Sequence, residues 1–228
     1  TGVIAAQLAA AGSLDLDQPV TRWRTTLRLP GGAEARLSLA QLLAQQTGLT
    51  KNAYDERLED GQDPALIRAQ LANAPQQCLP GTCYTYQNIA FDAASEIVGQ
   101  AADQPFAAAV EARLFRPLGM ASAGFGMARL TSARNWARPH HQGLVRPVKE
   151  AYWRVPAAAG IDSNIVDFAV WMQAMMGTRP DILPPETLAI AHRPRVVTDR
   201  PYSGALARAL SAAHYGLGWR SFSYRGRM

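Results

Sequence analysis

The sequence predicts an α+β chain, a helical body whose sheet lies mostly outside the visible segment. Three observations point there. Apolar residues recur at helical spacing through most of the chain. Strand-like alternation is sparse and confined to the C-terminal end. The composition is globular, with 48% hydrophobic and 18% charged residues among 228, which suits one large domain or two small ones sharing a core.

The elements follow in order. Val3, Ile4, Leu8 and Ala11 recur at helical spacing, and Gly12 sits where a helix C-terminus wants it. Ser38 can cap a short helix whose inner face is Leu39, Leu42 and Leu43. Asp63 and Pro64 form an N-cap and first-position pair, opening a helix from Ala65 to Ala74 with Leu66, Ile67 and Leu71 inward. A third helix is predicted from Gln87 through Ile89, Ala93 and Ile97. Gln104-Pro105 opens a fourth, carrying Phe106, Val110 and Leu114. Asp162 or Ser163 caps a fifth, with Ile165, Phe168, Ala169, Met172 and Met176 inward and Gly177 ending it. Pro184-Pro185 starts a sixth. Residues 124–155 show weak periodicity and read as a long surface excursion. Tyr215-Gly-Leu-Gly-Trp219 and Ser221-Phe-Ser-Tyr224 alternate like strand, and Arg225-Gly226 reads as a turn with no pairing strand after it.

Composition excludes several classes. The net charge is +5, and seven Arg fall between Ile190 and Met228. They are scattered among Pro, Ala and Tyr, so no nucleic-acid partner is expected. The longest uncharged apolar stretch, Val3 to Leu14, is too short for a transmembrane segment. His140 and His141 are adjacent and read as surface-loop residues, as do His192 and His214 as isolated ones. No cofactor and no metal are expected. There is no Gly-x-Ser-x-Gly, and neither lysine, Lys51 nor Lys149, completes a Ser-x-x-Lys.

Pro80-Gly-Thr-Cys-Tyr-Thr-Tyr86-Gln-Asn88 is the most informative segment. Its Pro-Gly turn would deliver Tyr86 and Asn88 to a helix start. A phenol can relay a proton, and a carboxamide can hold a substrate carbonyl with its N–H and a cation with its oxygen. By spacing alone the plainer alternative stands ahead: Tyr86 packs on the core and Asn88 sits in the first helical turn. Cys78 and Cys83 are the only cysteines. In an exported protein the tight turn between them favours a disulfide that fixes the approach to Tyr86. Two free thiols or half a metal site are the other readings.

Taken together, the motifs resemble serine β-lactamase-related proteins of the class C type, a group that also holds D-alanyl-D-alanine carboxypeptidases and esterases. Gly12-Ser-Leu-Asp-Leu-Asp-Gln-Pro-Val20 is similar to the segment after that family's nucleophile helix. Leu42-Leu-Ala-Gln-Gln-Thr-Gly-Leu49 resembles its Leu-Leu-x-His-Thr-Ser-Gly-Leu, with Gln45, Gln46 and Thr47 in place of His-Thr-Ser. Tyr86-Gln-Asn88 resembles its Tyr-x-Asn, and Pro117-Leu-Gly-Met120 matches its Pro-Leu-Gly-Met. Ala159-Gly160 through Ser163 to Asp167 is similar to its Gly-Gly-x-x-Ser-x-x-x-Asp, and Tyr215-Gly-Leu-Gly-Trp219 to the strand before its last motif.

The resemblance implies a β-lactamase/transpeptidase-like fold and a serine hydrolase that forms an acyl-enzyme. The substrates it implies are β-lactams, D-amino-acid peptides or small esters, met in the periplasm or elsewhere outside the cytoplasm. Tyr86 would shuttle a proton to the leaving group, and Asn88 would orient substrate and lysine. The family's Ser-x-x-Lys would lie just before Thr1 and its Lys/His-x-Gly shortly after Met228. His141-Gln-Gly143 matches the latter in letters only. Residues 1–228 are therefore expected to be a partial domain, truncated at both ends and inactive alone. The alternative is a non-catalytic relative that binds peptidoglycan or β-lactam. The catalytic reading places the Tyr86 hydroxyl and Asn88 at the rim of an open crevice.

Overall fold

The computed structural model describes residues 1–199 and 203–226; the expected chain end at Met228 lies outside them. The Gly2–Ala10 helix runs through the core, with Val3, Ile4, Ala5, Ala6 and Leu8 all buried. Its small residues let neighbours come close. A Cβ on Gly2 would lie 1.7 Å from the Leu217 carbonyl oxygen, so the helix touches the C-terminal hairpin backbone to backbone. Ala11 is the C-cap and is exposed, and Gly12 takes the left-handed conformation there (φ 75°).

Local signals set the next two helices. Ser38 caps Leu39–Leu43 in a full capping box with Gln41, and all three expected inner leucines are buried. The Asp63 carboxylate accepts from the Ala65 and Leu66 amides at the head of Pro64–Gln70. Ile67 and Leu71 are fully buried, but Leu66 is 63% exposed, so the expected inner face is narrower by one residue.

The third helix spans Ala93–Ala102 rather than starting at Gln87. Both backbone polar groups of Gln87 are taken by the Gln45 side chain, so they cannot enter a helical ladder. The fourth begins at Phe106 and widens into a π turn over Glu111–Phe115 before Arg116–Leu118, just ahead of Gly119 in the left-handed region. The Pro185–His192 helix matches the sixth expectation.

The Ile165–Met175 helix departs most. Its cap is Asn164, whose side chain accepts from the Asp167 amide. The face expected inside is exposed: Ile165 by 79%, Phe168 by 50%, Met172 by 52% and Met176 by 73%. Asp167 and Ala174 point inward instead. Asp167 fixes this rotation, since one carboxylate oxygen accepts from the Ser122 amide (2.6 Å), the Ser122 hydroxyl (2.6 Å) and the Ala123 amide (3.0 Å). The Ser122 hydroxyl bond, against desolvation and with help from the two amides, holds the Asp167 carboxyl below its ordinary range. A lowered folded-state pKa gives stability that is present above the unfolded pKa of 3.8 and is lost as pH falls through the folded value. Asp167→Ala is therefore expected to lower Tm clearly at neutral pH. The gap to the parent chain should narrow as thermal unfolding is followed down towards about pH 3.

The described strands are short and antiparallel. Gly124–Phe125 pairs with Ile161–Asp162. His140–His141 pairs with Leu144–Val145 at the tip of the excursion, where both histidines are exposed. The third sheet orders Val196–Val197, Leu210–Tyr215 and Arg220–Tyr224 side by side. The C-terminal strand is thus not left without a partner. Tyr215-Gly-Leu-Gly-Trp219 is mostly the connection of a hairpin rather than a strand of its own, and Leu210–Tyr215 is paired on both edges.

Candidate active site

Tyr86 lies on an irregular segment gripped from both sides. The Cys78–Cys83 disulfide is formed, with Cα atoms 6.3 Å apart, and closes the Pro-Gly turn. Two backbone features admit that turn. A Cβ at Gly48 would meet the Cys78 carbonyl oxygen at 2.3 Å, and Gly48 holds φ 77°, so only glycine fits. The Gly81 amide donates to the Gln46 carbonyl (2.8 Å), and the Gln46 side chain donates back to the Gly81 carbonyl (2.9 Å). A six-residue loop gains about 2 kcal/mol from closure. Paired Cys78→Ser and Cys83→Ser substitutions are expected to lower Tm by roughly 4–8 °C, and denatured, unreduced protein should titrate no free thiol.

Gln45 does the closest holding. It is 2% exposed and sits at φ 63°, a left-handed strain for a non-glycine residue. Its amide nitrogen donates to the Gln87 carbonyl (3.1 Å) and its amide oxygen accepts from the Gln87 amide (2.8 Å). Its own carbonyl accepts from the Thr85 amide (2.9 Å). The residues on either side of Tyr86 are thus tied to one side chain and its backbone. The Asn52 amide completes the grip by donating to the Tyr86 carbonyl (2.9 Å).

Tyr86 is half-buried and lines two cavities. The first, about 390 Å³, is walled by Thr1 and Gly2 at the head of the first helix, the Pro156–Gly160 turn, and Tyr215, Leu217 and Trp219 of the hairpin. The second, about 750 Å³, is polar; Tyr86 shares it with Asn88, Asp55, Lys51, Tyr152 and Arg220. The structure therefore brings Tyr86 and Asn88 to one wall, with Tyr86 between the cavities. Two further phenols stand nearby. The Tyr84 and Tyr215 rings are 5.1 Å apart, and the Arg220 guanidinium donates to the Tyr84 hydroxyl (2.8 Å). Burial raises both phenols, against the opposing pull of Arg220, so both stay neutral donors.

The Pro156–Gly160 wall is anchored from behind. Thr1 donates its hydroxyl to the Ala157 carbonyl (2.5 Å), and the Ala157 amide donates to Asp92 (2.9 Å). Asp92 pairs with Arg68 at 2.6 Å, and Arg68 reaches Glu96 at 2.8 Å. Burial pushes Asp92 up to about 7 despite the opposing Arg68 charge. Glu96 ends below its ordinary range: burial raises it, but the bonds from Thr26 and the Arg68 charge outweigh that.

The sequence marks Tyr86, Asn88, Cys78 and Cys83; Gln45 stands out in it only as a departure from the family's His, and nothing in it marks Asp55, Arg68 or Asp92. A mid-chain polar residue gives no sign of burial until its partners, distant in sequence, are known. Among the described residues no group of three His, Cys, Asp or Glu is placed to hold a metal ion, and no helix is long and apolar enough to cross a membrane.

A family model described as Beta-lactamase matches residues 1–227. Esterase EstB of Burkholderia gladioli is 35% identical over 159 residues, covering 63% of this chain and 39% of the esterase. Unguisins hydrolase ungD' of Aspergillus campestris (strain IBT 28561) is 24% identical over 204 residues, covering 83% of this chain and 36% of the hydrolase. The chain thus spans well under half the length of these relatives. Two solved structures share the fold over 99% of the chain. The octameric penicillin-binding protein homologue from Pyrococcus abyssi superposes with a TM-score of 0.79 at 19% identity, over 52% of that protein. The D-stereospecific amidohydrolase from Streptomyces sp. gives 0.74 at 20% identity, over 69%.

Proposed function

This chain belongs to the Beta-lactamase family, and on that premise we propose that it is the Tyr-x-Asn-bearing part of a longer serine hydrolase that works through an acyl-enzyme. The observation that carries the reading is the position of Tyr86. It stands between a cavity whose wall includes Thr1 and a polar cleft that it shares with Asn88. A chain continuing upstream from Thr1 would start from the wall of a cavity that Tyr86 also lines, and the resemblance puts the family's serine and lysine on that upstream stretch.

In this reading the serine hydroxyl attacks an ester or amide carbonyl and gives up its proton to the lysine–Tyr86 pair. The C–O or C–N bond breaks as Tyr86 passes a proton to the leaving group. Water then attacks the acyl-serine and restores the serine hydroxyl. Asn88 offers an N–H to the substrate carbonyl and its oxygen to the lysine. The esterase relative makes small esters the first substrates to try, ahead of D-amino-acid amides and β-lactams. The disulfide fits a protein that folds outside the cytoplasm.

The test is release of p-nitrophenol from short-chain esters, together with labelling by a fluorescent penicillin, on the longer protein and on residues 1–228 alone. Turnover is expected from the longer protein and none from the 228-residue chain. Labelling without turnover would favour a binding relative, and neither signal would sink the hydrolase reading.

A further inference from the structure

The second cavity holds a buried acid that the mechanism above does not use. Asp55 is 9% exposed. One of its oxygens accepts from the Asn88 amide nitrogen at 2.6 Å, and the other is enclosed with no partner. Asn88 thus supplies the carboxylate's only side-chain donor among the described hydrogen bonds. Burial, opposed by that bond from Asn88, raises the Asp55 carboxyl above its ordinary range. A desolvated acid with one idle oxygen calls for an explanation beyond stability.

The approach to Asp55 is itself strained. Asn52 (φ 56°) and Tyr54 (φ 64°) both sit in the left-handed region, two non-glycine residues in one turn. That turn ends at the Asp55–Glu59 helix, and its Asn52 amide is the one that holds the Tyr86 carbonyl. The same strained loop therefore grips Tyr86 by its backbone and Asn88 by its side chain.

A carboxylate can only accept, so it decides which way a neighbouring amide turns. We propose that Asp55 is a positioning residue: it holds the Asn88 nitrogen and thereby commits the Asn88 oxygen to face the cleft shared with Tyr86. The proposal rests on Asn88 acting in the hydrolase reading above. A cation or substrate donor arriving in the cleft then meets a fixed acceptor, and the second amide hydrogen stays free for a carbonyl. Without the carboxylate nothing holds the amide in that orientation, and the aligned arrangement becomes a small fraction of those the side chain samples.

The experiment uses the longer, active protein and short-chain p-nitrophenyl esters. Asp55→Asn keeps the shape but can donate as well as accept, so the Asn88 amide is no longer told which way to turn. Its kcat is expected to fall by about 10- to 100-fold, with KM and Tm nearly unchanged. Asp55→Glu, still acceptor-only, should retain more kcat than Asp55→Asn. Adding Asn88→Ala to Asp55→Asn should cost little more than Asn88→Ala alone. If Asn88→Ala is slow while Asp55→Asn stays within about twofold of the parent kcat, the positioning role is wrong and the Asn88 reading survives. Equal losses in Asp55→Asn and Asp55→Glu, accompanied by a fall in Tm, would also overturn it, because only structure would then be at stake. An unaffected Asn88→Ala would remove the Asn88 reading and the proposal together.

Discussion

Tyr86→Phe is expected to slow ester turnover by the longer protein by about 10²- to 10⁴-fold, the usual range for a lost proton relay. The substitution removes one oxygen and keeps the ring. The ring's place is set by the Gln45 clamp on Thr85 and Gln87 and by the Asn52 bond to the Tyr86 carbonyl, none of which involves the hydroxyl. The fold and Tm should therefore be little changed, and the loss should fall on kcat rather than KM. Tyr84→Phe is the matched control. Its hydroxyl is held by Arg220 (2.8 Å), and its effect should be much smaller. Unchanged turnover in Tyr86→Phe, measured by stopped-flow or steady-state release of p-nitrophenol, would take Tyr86 out of the mechanism.

Arg68→Ala is expected to lower stability strongly. The guanidinium gives one N–H to Thr26 (2.7 Å), one to Asp92 (2.6 Å) and one to Glu96 (2.8 Å). The Asp92 and Arg68 side chains are only 2% and 7% exposed. Removing one partner leaves a buried carboxylate uncompensated, which costs about 3–5 kcal/mol. For a chain of this size that lowers Tm by roughly 6–20 °C, measurable by calorimetry or circular dichroism. The pH response has a defined sign. Asp92 is raised to about 7 from 3.8, so its contribution favours the folded state below the unfolded value and is lost as pH rises towards about 7. Glu96, lowered overall, acts in the opposite sense at acid pH. The Arg68→Ala deficit should shrink as pH is lowered from alkaline values towards about 7, because losing the Arg68 charge raises Asp92 further and the variant's carboxyl takes up its proton before the parent's does. A deficit that grows on acidification would contradict this account. Because Asp92 also holds the Ala157 amide, the variant should loosen the Pro156–Gly160 cavity wall as well.

Much of the helical body was legible in the residues. Caps are local: Ser38 with Gln41 and Asp63 with Pro64 act within one turn, so their letters suffice. The Pro-Gly turn and the two cysteines were legible for the same reason. The third helix was misplaced because Gln87 spends its backbone on Gln45, 42 positions away, which no window of sequence contains. The Ile165–Met175 helix shows a different limit. Its period marked an apolar face correctly, but Asp167 turns that face away from the core by bonding Ser122 and Ala123. Tyr215 to Trp219 misled because two strands and their connection share the same aromatic and glycine letters.

The order of motifs from Gly12 to Trp219 was enough to place the chain in its family, and the close spacing of Cys78 and Cys83 was enough to favour their pairing. Such patterns survive in one dimension because caps, turns and helix periods depend on neighbours a few residues apart. Which residues hold Tyr86 and Asn88, and which acid stands buried beneath them, was decided only when segments 33 to 42 positions apart met. Burial and hydrogen-bond partnership are properties of that meeting, because desolvation acts on atoms by what surrounds them in space and is blind to their order along the chain.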